Sequence, residues 1–159
     1  MSLNWGFLIC QKMLMFYCME KNSMAVFLDT GFILALKNKD DKNFAIAQSW
    51  MKRFLKNEFG QIYTSTFVFD ELVTITLVRI KRPDFAKNIG NYVLKSPRIN
   101  IISFTDEDFN NTWILFQKHI EKRFSFTDCS ILVQCERLNC QFLATFDKHF
   151  KGLIATNLT

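Results

Sequence analysis

The sequence predicts an α/β fold, a three-layer sandwich in which helices flank a central, mostly parallel sheet of four to five strands. Two observations predict this class. Short apolar runs alternate along the chain with longer segments whose apolar residues recur every three or four positions. The composition, 49% hydrophobic with 18 Phe against 5 Gly and 2 Pro, suits a chain that buries a core and argues against disorder.

The chain of 159 residues is expected to form one domain over residues 24–159, preceded by an appendage at residues 1–23. The apolar stretch Asn4–Met19 within this appendage is interrupted by Gln11 and Lys12 and is too short for a membrane span. The appendage also lacks the basic start and the cleavage site of a signal peptide. A start codon assigned too far upstream, or residues left from an expression vector, explains it, with a targeting element as the alternative. No membrane partner is expected.

The charge and the cysteine content indicate which partner and which cellular compartment to expect. With 20 Lys and Arg against 15 Asp and Glu, the net charge of +5 favours a polyanionic partner such as nucleic acid. The five cysteines are odd in number and contain no C-x-x-C pair, which indicates reduced thiols in a cytoplasmic protein. The two histidines lack the spacing of a zinc site, so no structural zinc is expected.

The first strand is predicted where an apolar run ends in a carboxylate, a pattern that suits a buried parallel strand. A turn at Thr30 and Gly31 then leads into a helix, and Gly60 stops the helix after it. The elements expected in this part are a strand at Ala25–Asp29, helices at Phe32–Leu36 and Lys42–Phe59, and a strand at Gln61–Thr64.

The next segment is expected to be a helix, capped by Ser65 or Thr66 and running to about Ile80. Its β-branched residues lower helix propensity, so a strand at Val73–Val78 is the main alternative. An amphipathic helix is predicted after it, at Asp84–Lys95.

The second half of the chain continues the alternation. Thr105 with Asp108, and Ser125 with Asp128, have the spacing of a capping box at the start of a helix. Asn139 suits a left-handed helix end. The elements expected are strands at Arg98–Phe104 and Cys140–Thr145, helices at Asp106–Lys122 and Phe126–Leu138, and a fifth, edge strand at Gly152–Thr156.

Four acidic residues stand near the ends of predicted strands or the starts of helices: Asp29, Glu71, Asp128 and Asp147. In a parallel sheet these positions share one edge, where α/β proteins bind ligands. Crowded carboxylates repel one another, and a divalent cation would remove that penalty. Oxygen ligands without His or Cys favour Mg²⁺ or Mn²⁺ over zinc.

Each of these acids also has a structural explanation. Asp128 can serve only as the last member of its capping box, and Asp147 can be a turn former. Asp70 and Glu71 can form a solvated pair in which either one points inward, and Glu71 is preferred because it shares a helix face with apolar residues. The contiguous acids Asp106–Asp108 are a rival cluster, interpreted as partners of a helix dipole.

Four stretches together resemble the PIN domain, a Mg²⁺/Mn²⁺-dependent ribonuclease fold that includes the VapC-type toxins. They are FLDTG at residues 27–31, TSTFVFDELVT at 64–74, FSFTDCS at 124–130 and ATFDKHF at 144–150, and the resemblance extends from Val26 to about Ile154. It implies catalytic and metal-binding roles for Asp29, Glu71, Asp128 and Asp147, and supporting roles for Thr30, Thr127 and Thr145.

The function expected from this resemblance is metal-dependent hydrolysis of RNA, with Mg²⁺ or Mn²⁺ as cofactor, by a toxin or a related RNA-processing enzyme. The expected partners are an RNA substrate, an antitoxin protein and a second copy of the chain. Basic residues expected to bind RNA are Arg79, Lys81, Arg82, Lys148 and Lys151. The alternative is a catalytically weak module that binds RNA or protein on the same fold. A phosphatase-like or nucleotide-binding domain ranks third, because the chain lacks a glycine-rich phosphate-binding motif.

Overall fold

A computed structural model describes residues 24–156 of the chain, and the predicted appendage at residues 1–23 lies outside them. The strands are β1 (Ala25–Leu28), β2 (Gln61–Ser65), β3 (Ile99–Ile102) and β4 (Phe142–Ala144). The helices are α1 (Thr30–Lys37), α2 (Phe44–Leu55), α3 (Thr66–Thr74), α4 (Pro83–Lys95), α5 (Asp106–His119) and α6 (Phe126–Arg137). The strands form one sheet in the order β3-β2-β1-β4, and every neighbouring pair is parallel. The predicted fold class is confirmed.

Strand β1 is interior to the sheet and all four of its residues are buried. Val26 pairs with Ile62 of β2 on one side and with Phe142 of β4 on the other. A strand covered on both faces is apolar at every position, which explains the run that ends at Asp29. Because all four strands run in one direction, the residues that follow them meet at one edge of the sheet. We call this edge the carboxyl edge.

Aromatic side chains fasten α1 and α2 to the sheet. Phe59 meets Phe142 of β4 edge to face with ring centroids 4.9 Å apart, and Phe54 of α2 lies 5.3 Å from Phe59 in the same way. Phe32 of α1 continues the cluster at 5.9 Å from Phe54. Burial of each such side chain contributes roughly 2–3 kcal/mol. This aromatic cluster therefore packs α1, whose N-cap is Asp29, against α2 and the sheet.

The segment Val73–Val78 is helical, so the predicted helix is confirmed and the strand alternative is wrong. α3 continues directly into a π-helical segment, Ile75–Arg79. The β-branched Thr76 satisfies its hydroxyl inside the helix by donating to the Leu72 carbonyl at 2.7 Å. Each β-branched residue lowers the stability of the helix by roughly a few tenths of a kcal/mol. Burial of Val68 and Leu72 outweighs that cost.

The segment proposed as a fifth strand, Gly152–Thr156, forms no strand in the part of the chain that the structure describes. A short 3₁₀ turn at Lys148–Phe150 and a positive φ of 84° at Gly152 bend the chain, and a ladder-like bond joins the segment to β4. In that bond the N–H of Leu143 donates to the Ala155 carbonyl at 3.0 Å. None of the helices in residues 24–156 has the length and apolar character needed to cross a membrane.

Candidate active site

Asp29 is the first residue after β1 and the N-cap of α1, and its side chain is buried at the carboxyl edge. One carboxylate oxygen, Oδ1, accepts the N–H of Thr30 at 2.6 Å. The other, Oδ2, accepts the hydroxyl of Thr145, which follows β4, at 2.7 Å. Both oxygens are therefore oriented by residues of the neighbouring segments, and the sequence prediction of a buried carboxylate at the end of β1 agrees with this placement.

The charge of Asp29 is poorly compensated. Burial raises its pKa from 3.8 to about 7, and the negative charges of Asp128 and Glu71 add to that effect. The hydrogen bonds from Thr145 and Thr30 lower the pKa only in part. A buried carboxylate surrounded by other carboxylates is costly when it is ionised, unless a cation is present.

Glu71 of α3 points toward Asp29 and its neighbours. Its Oε2 accepts the hydroxyl of Thr30 at 2.5 Å. Burial and the charge of Asp128 raise the pKa of Glu71, while the Thr30 bond and the charge of Arg79 lower it in part. Asp70, the rival residue at this position, is exposed. The helix geometry thus turns Glu71 inward, as the shared face with apolar residues predicted.

Asp128 lies in the first turn of α6, at the same edge. It completes the predicted capping box, because its Oδ2 accepts the Ser125 N–H at 2.7 Å and its N–H donates to the Ser125 hydroxyl at 3.0 Å. Its charge also raises the pKa values of Asp29 and Glu71. Capping and proximity to the other acids are both observed, so the two explanations of Asp128 are compatible.

Asp147 lies at the margin of this group. Its side chain is 40% exposed, and Oδ1 accepts the His149 N–H at 2.8 Å and lies 2.9 Å from Nδ1 of the same histidine. Its backbone N–H donates to the Thr145 hydroxyl at 3.0 Å, which links it to Asp29 through one residue. The charges that raise the pKa of Asp29 are those of Asp128 and Glu71. The structure thus gathers three of the four predicted acids and leaves Asp147 engaged elsewhere.

Of the three supporting threonines, two bind the acids directly and one does not. Thr30 binds Glu71 and Thr145 binds Asp29. Thr127 is half-buried and contributes its carbonyl, which accepts the Ser130 hydroxyl at 2.7 Å. Within residues 24–156, its own hydroxyl makes no hydrogen bond that would orient a carboxylate.

The contact of His149 with Asp147 is not among the interactions expected from the sequence. The spacing of two residues within a turn was the available signal, since an aspartate commonly accepts the backbone N–H two positions ahead. The ring of His149 also packs on Phe124, with centroids 5.9 Å apart, which places the imidazole beside the carboxylate.

The rival cluster Asp106–Asp108 has a structural role. Asp108 is buried, closes the capping box with Thr105, and binds Arg137 of α6 through two bonds of 2.9 and 3.0 Å. These bonds offset its burial and hold its pKa below the usual value. Asp106 and Glu107 are exposed in the first turn of α5, where acids favour the helix dipole.

The chemistry of the gathered acids fits a hard divalent cation. All the donors are carboxylate and hydroxyl oxygens, and the raised pKa of the buried Asp29 marks negative charge that a cation would compensate. As the side chains are placed, however, no three His, Cys, Asp or Glu residues of the described chain form a metal-binding group. The donor set therefore fits a hard divalent cation in the type of its atoms.

Five basic residues were predicted to surround the acids, and all five are exposed or nearly so. Arg79 lies close enough to Glu71 for its charge to lower the pKa of that carboxyl. Arg82 stacks on the Phe85 ring at 4.9 Å, and Lys81 has a positive φ of 57° at the turn before α4. The five residues are Arg79, Lys81, Arg82, Lys148 and Lys151.

Comparison with known proteins agrees with the fold just described. The family model of the PIN domain matches residues 26–153, and the chain belongs to the PIN-domain family. No curated protein gave a match.

Several solved structures share the fold. VapC20 of Mycobacterium tuberculosis, described as a sarcin–ricin loop cleaving toxin, is 24% identical with a TM-score of 0.69, over 80% of this chain and 94% of that one. VapBC2 of Rickettsia felis, bound to a DNA fragment from its promoter, is 19% identical with a TM-score of 0.62, over 84% of this chain and 98% of that one. FitAcB of Neisseria gonorrhoeae is 16% identical with a TM-score of 0.58, over 82% of this chain and 95% of that one. At these identities the likeness concerns the fold alone.

Proposed function

We propose that this chain is a Mg²⁺- or Mn²⁺-dependent endoribonuclease that hydrolyses phosphodiester bonds in RNA. The observation that carries the proposal is the buried carboxylate of Asp29, which lies at the carboxyl edge under the repulsion of Asp128 and Glu71. A hydrophobic core gains no stability from neighbouring acids, whereas a divalent cation would offset their repulsion. Membership of the PIN-domain family supports the same conclusion.

Asp29, Glu71 and Asp128 are proposed to hold the cation, and Asp147 would join them by giving up its contact with His149. When bound, Mg²⁺ or Mn²⁺ would supply Lewis-acid polarisation of the phosphate and activation of a water molecule. The residues of the chain contribute positioning. Thr145 holds the Asp29 carboxylate and Thr30 holds that of Glu71, so the oxygens are oriented before a ligand arrives.

RNA is proposed to approach along the carboxyl edge. Arg79 is the basic residue with the best support, because its charge already acts on Glu71. Lys148 directly follows Asp147 and is exposed. Phosphate contacts by Lys and Arg position a nucleic acid without reading its sequence. Substitution of these residues would weaken binding of all RNA sequences alike.

The toxin of a toxin–antitoxin pair is the biological role that we propose for this nuclease. The fold is shared with VapC20, which is described as a toxin that cleaves the sarcin–ricin loop. An antitoxin segment would cover the acidic edge, and a second copy of the chain would complete the assembly. A sarcin–ricin loop RNA is accordingly the first structured substrate to test.

The decisive experiment incubates purified protein with labelled single-stranded RNA and with a sarcin–ricin loop RNA, in Mg²⁺, in Mn²⁺ and in a chelator. Cleavage is expected with either metal and not in the chelator, and Asp29→Asn should abolish it. Asp40→Asn is the matched control, because Asp40 is an exposed acid in the loop after α1. Cleavage that survives Asp29→Asn would overturn the assignment.

A second candidate function, a module that binds protein or RNA without cutting it, is favoured by the exposed apolar side chains of α5. Phe109 is 52% exposed, Trp113 49% and Ile114 51%. Calorimetric titration with Mn²⁺ separates the two candidates. Binding that Asp29→Asn removes and Asp40→Asn retains supports the nuclease, and the absence of any such binding supports the module.

A further inference from the structure

Helix α6 ends in a Schellman motif that joins two cysteines. Asn139 has a positive φ of 51°, and its N–H donates to the Glu136 carbonyl at 3.1 Å. The N–H of Cys140 donates to the Cys135 carbonyl at 2.8 Å. These are the two bonds that define the motif, and the side chains of the residues joined by the outer bond usually contact each other. In this chain both of those residues are cysteines.

The motif brings the α-carbons of the two cysteines within the range that a disulfide can span. Given the fixed covalent lengths on either side of the 2.8 Å bond, the α-carbons of Cys135 and Cys140 lie within about 7 Å of each other. That value is the upper limit for bridging two cysteines without backbone movement. The Cys140 thiol lies close enough to Cys135 to raise the pKa of that thiol, and neither cysteine is in a disulfide.

The two thiols differ in access. Both line a cavity of about 420 Å³, together with His119, whose Nδ1 has no hydrogen-bond partner in the described part of the chain. Cys135 is buried, whereas Cys140 is partly exposed. Burial and the neighbouring thiol raise the pKa of Cys135 well above its usual value. A small oxidant therefore meets Cys140 first, and Cys135 is the second thiol to react.

We propose that Cys135 and Cys140 are a redox modification site, a dithiol that hydrogen peroxide converts to a disulfide. The Cys140 sulfur attacks one peroxide oxygen, the O–O bond breaks, and the products are a sulfenic acid on Cys140 and water. The Cys135 sulfur then attacks the Cys140 sulfur, an S–S bond forms, and the sulfenic oxygen leaves as a second water. The two thiols lose two electrons and two protons in total, and one peroxide is reduced to two waters.

The disulfide would join the end of α6 to the segment that leads into β4. α6 carries Asp128 at its start, and β4 leads to Thr145, which holds Asp29. The bond would therefore cross-link two elements that also reach the carboxyl edge, at the ends that lie away from that edge. The proposal does not depend on the nuclease assignment, because it rests on the helix end alone.

Peptide mapping of the full chain tests the proposal directly. The protein is treated with hydrogen peroxide, quenched with an alkylating reagent and digested with trypsin, which separates residues 124–137 from residues 138–148 by cutting after Arg137. The expected product is a cross-linked pair of these peptides that has lost two hydrogen atoms and that dithiothreitol separates. Fragmentation should place the bond between Cys135 and Cys140.

Three cysteine variants test which thiols form the cross-link. Cys135→Ser and Cys140→Ser should each abolish the cross-link, whereas Cys129→Ser, which removes a buried thiol of the same helix, should leave it intact. The Cys135→Ser variant should instead accumulate sulfenic acid on Cys140, which dimedone labels. A bond to Cys129, Cys10 or Cys18, or over-oxidation of Cys140 without any cross-link in the unsubstituted protein, would overturn the proposal.

Discussion

The hydroxyl of Thr30 donates a 2.5 Å hydrogen bond to Oε2 of Glu71, across 41 positions of sequence. Thr30 is the first residue of α1 and Glu71 lies on α3, so the bond connects two helices that begin at the carboxyl edge. It also decides the orientation of the Asp70–Glu71 pair, because Asp70 remains exposed while Glu71 is held inward. The relationship gives Thr30 a defined positioning role.

Removal of this hydroxyl is expected to weaken metal binding. Thr30→Val keeps the shape of the side chain but leaves the Glu71 carboxylate without its partner, and a hydrogen bond to a charged group contributes about 1.5–3 kcal/mol. Mn²⁺ affinity, measured by calorimetry, should fall by about tenfold or more. Thr30→Ser restores the donor and should bind nearly as the unsubstituted chain does. Equal affinities for the Val and Ser variants would contradict this role.

Thr145→Val is expected to destabilise the fold itself. The Thr145 hydroxyl donates to the buried Asp29 carboxylate and accepts the N–H of Asp147, so its loss leaves polar groups unsatisfied. The expected cost is about 1–3 kcal/mol in the free energy of unfolding, measured by urea denaturation. Thr145→Ser should recover most of that loss. If both substitutions cost the same, packing of the methyl group is responsible and not the hydrogen bonds.

The stability of the metal-free protein is expected to fall as the pH rises from about 4 to about 7. Burial raises the pKa of Asp29 from 3.8 to about 7, so in this range the folded chain keeps a proton that the unfolded chain releases. The stabilising contribution of the bound proton is fully present below pH 3.8, and its loss is complete above the folded pKa and amounts to about 4 kcal/mol at most. Asp29→Asn removes the titrating group.

Urea denaturation at several pH values checks this expectation. The difference in unfolding free energy between the unsubstituted protein and Asp29→Asn should change steadily between pH 4 and 7 and level off above it. A difference that is constant with pH would show that Asp29 does not titrate in that range. Chelator is present throughout, so that metal binding does not enter.

The pair formed by Arg137 and Asp108 is expected to stabilise the contact between α5 and α6. Arg137→Met leaves the Asp108 carboxylate, 2% exposed, without its charged partner, and a cost of about 3 kcal/mol is expected. Arg53→Met is the matched control, because its pair with Glu58 is 45% and 39% exposed and should contribute less than about 1 kcal/mol. Thermal or urea unfolding of both variants gives the comparison. Equal losses would contradict the role assigned to burial.

Several features of the fold could be predicted because they are local. The apolar run before Asp29, the capping boxes at Thr105 and Ser125, and the left-handed exit at Asn139 each depend on residues within a few positions of each other. The observed ends of the elements differ from the predicted ones by a few residues, because helix ends fray. The helix predicted to reach Lys122, for example, changes to a 3₁₀ turn after His119.

The sequence by itself determined the fold class and the order of its elements, since periodicity and caps carry that information. Only the tertiary structure decided how the distant acids meet. Asp29, Glu71 and Asp128 come together because parallel strands deliver their ends to one edge, whereas Asp147 accepts the N–H of His149 and lies beside its ring.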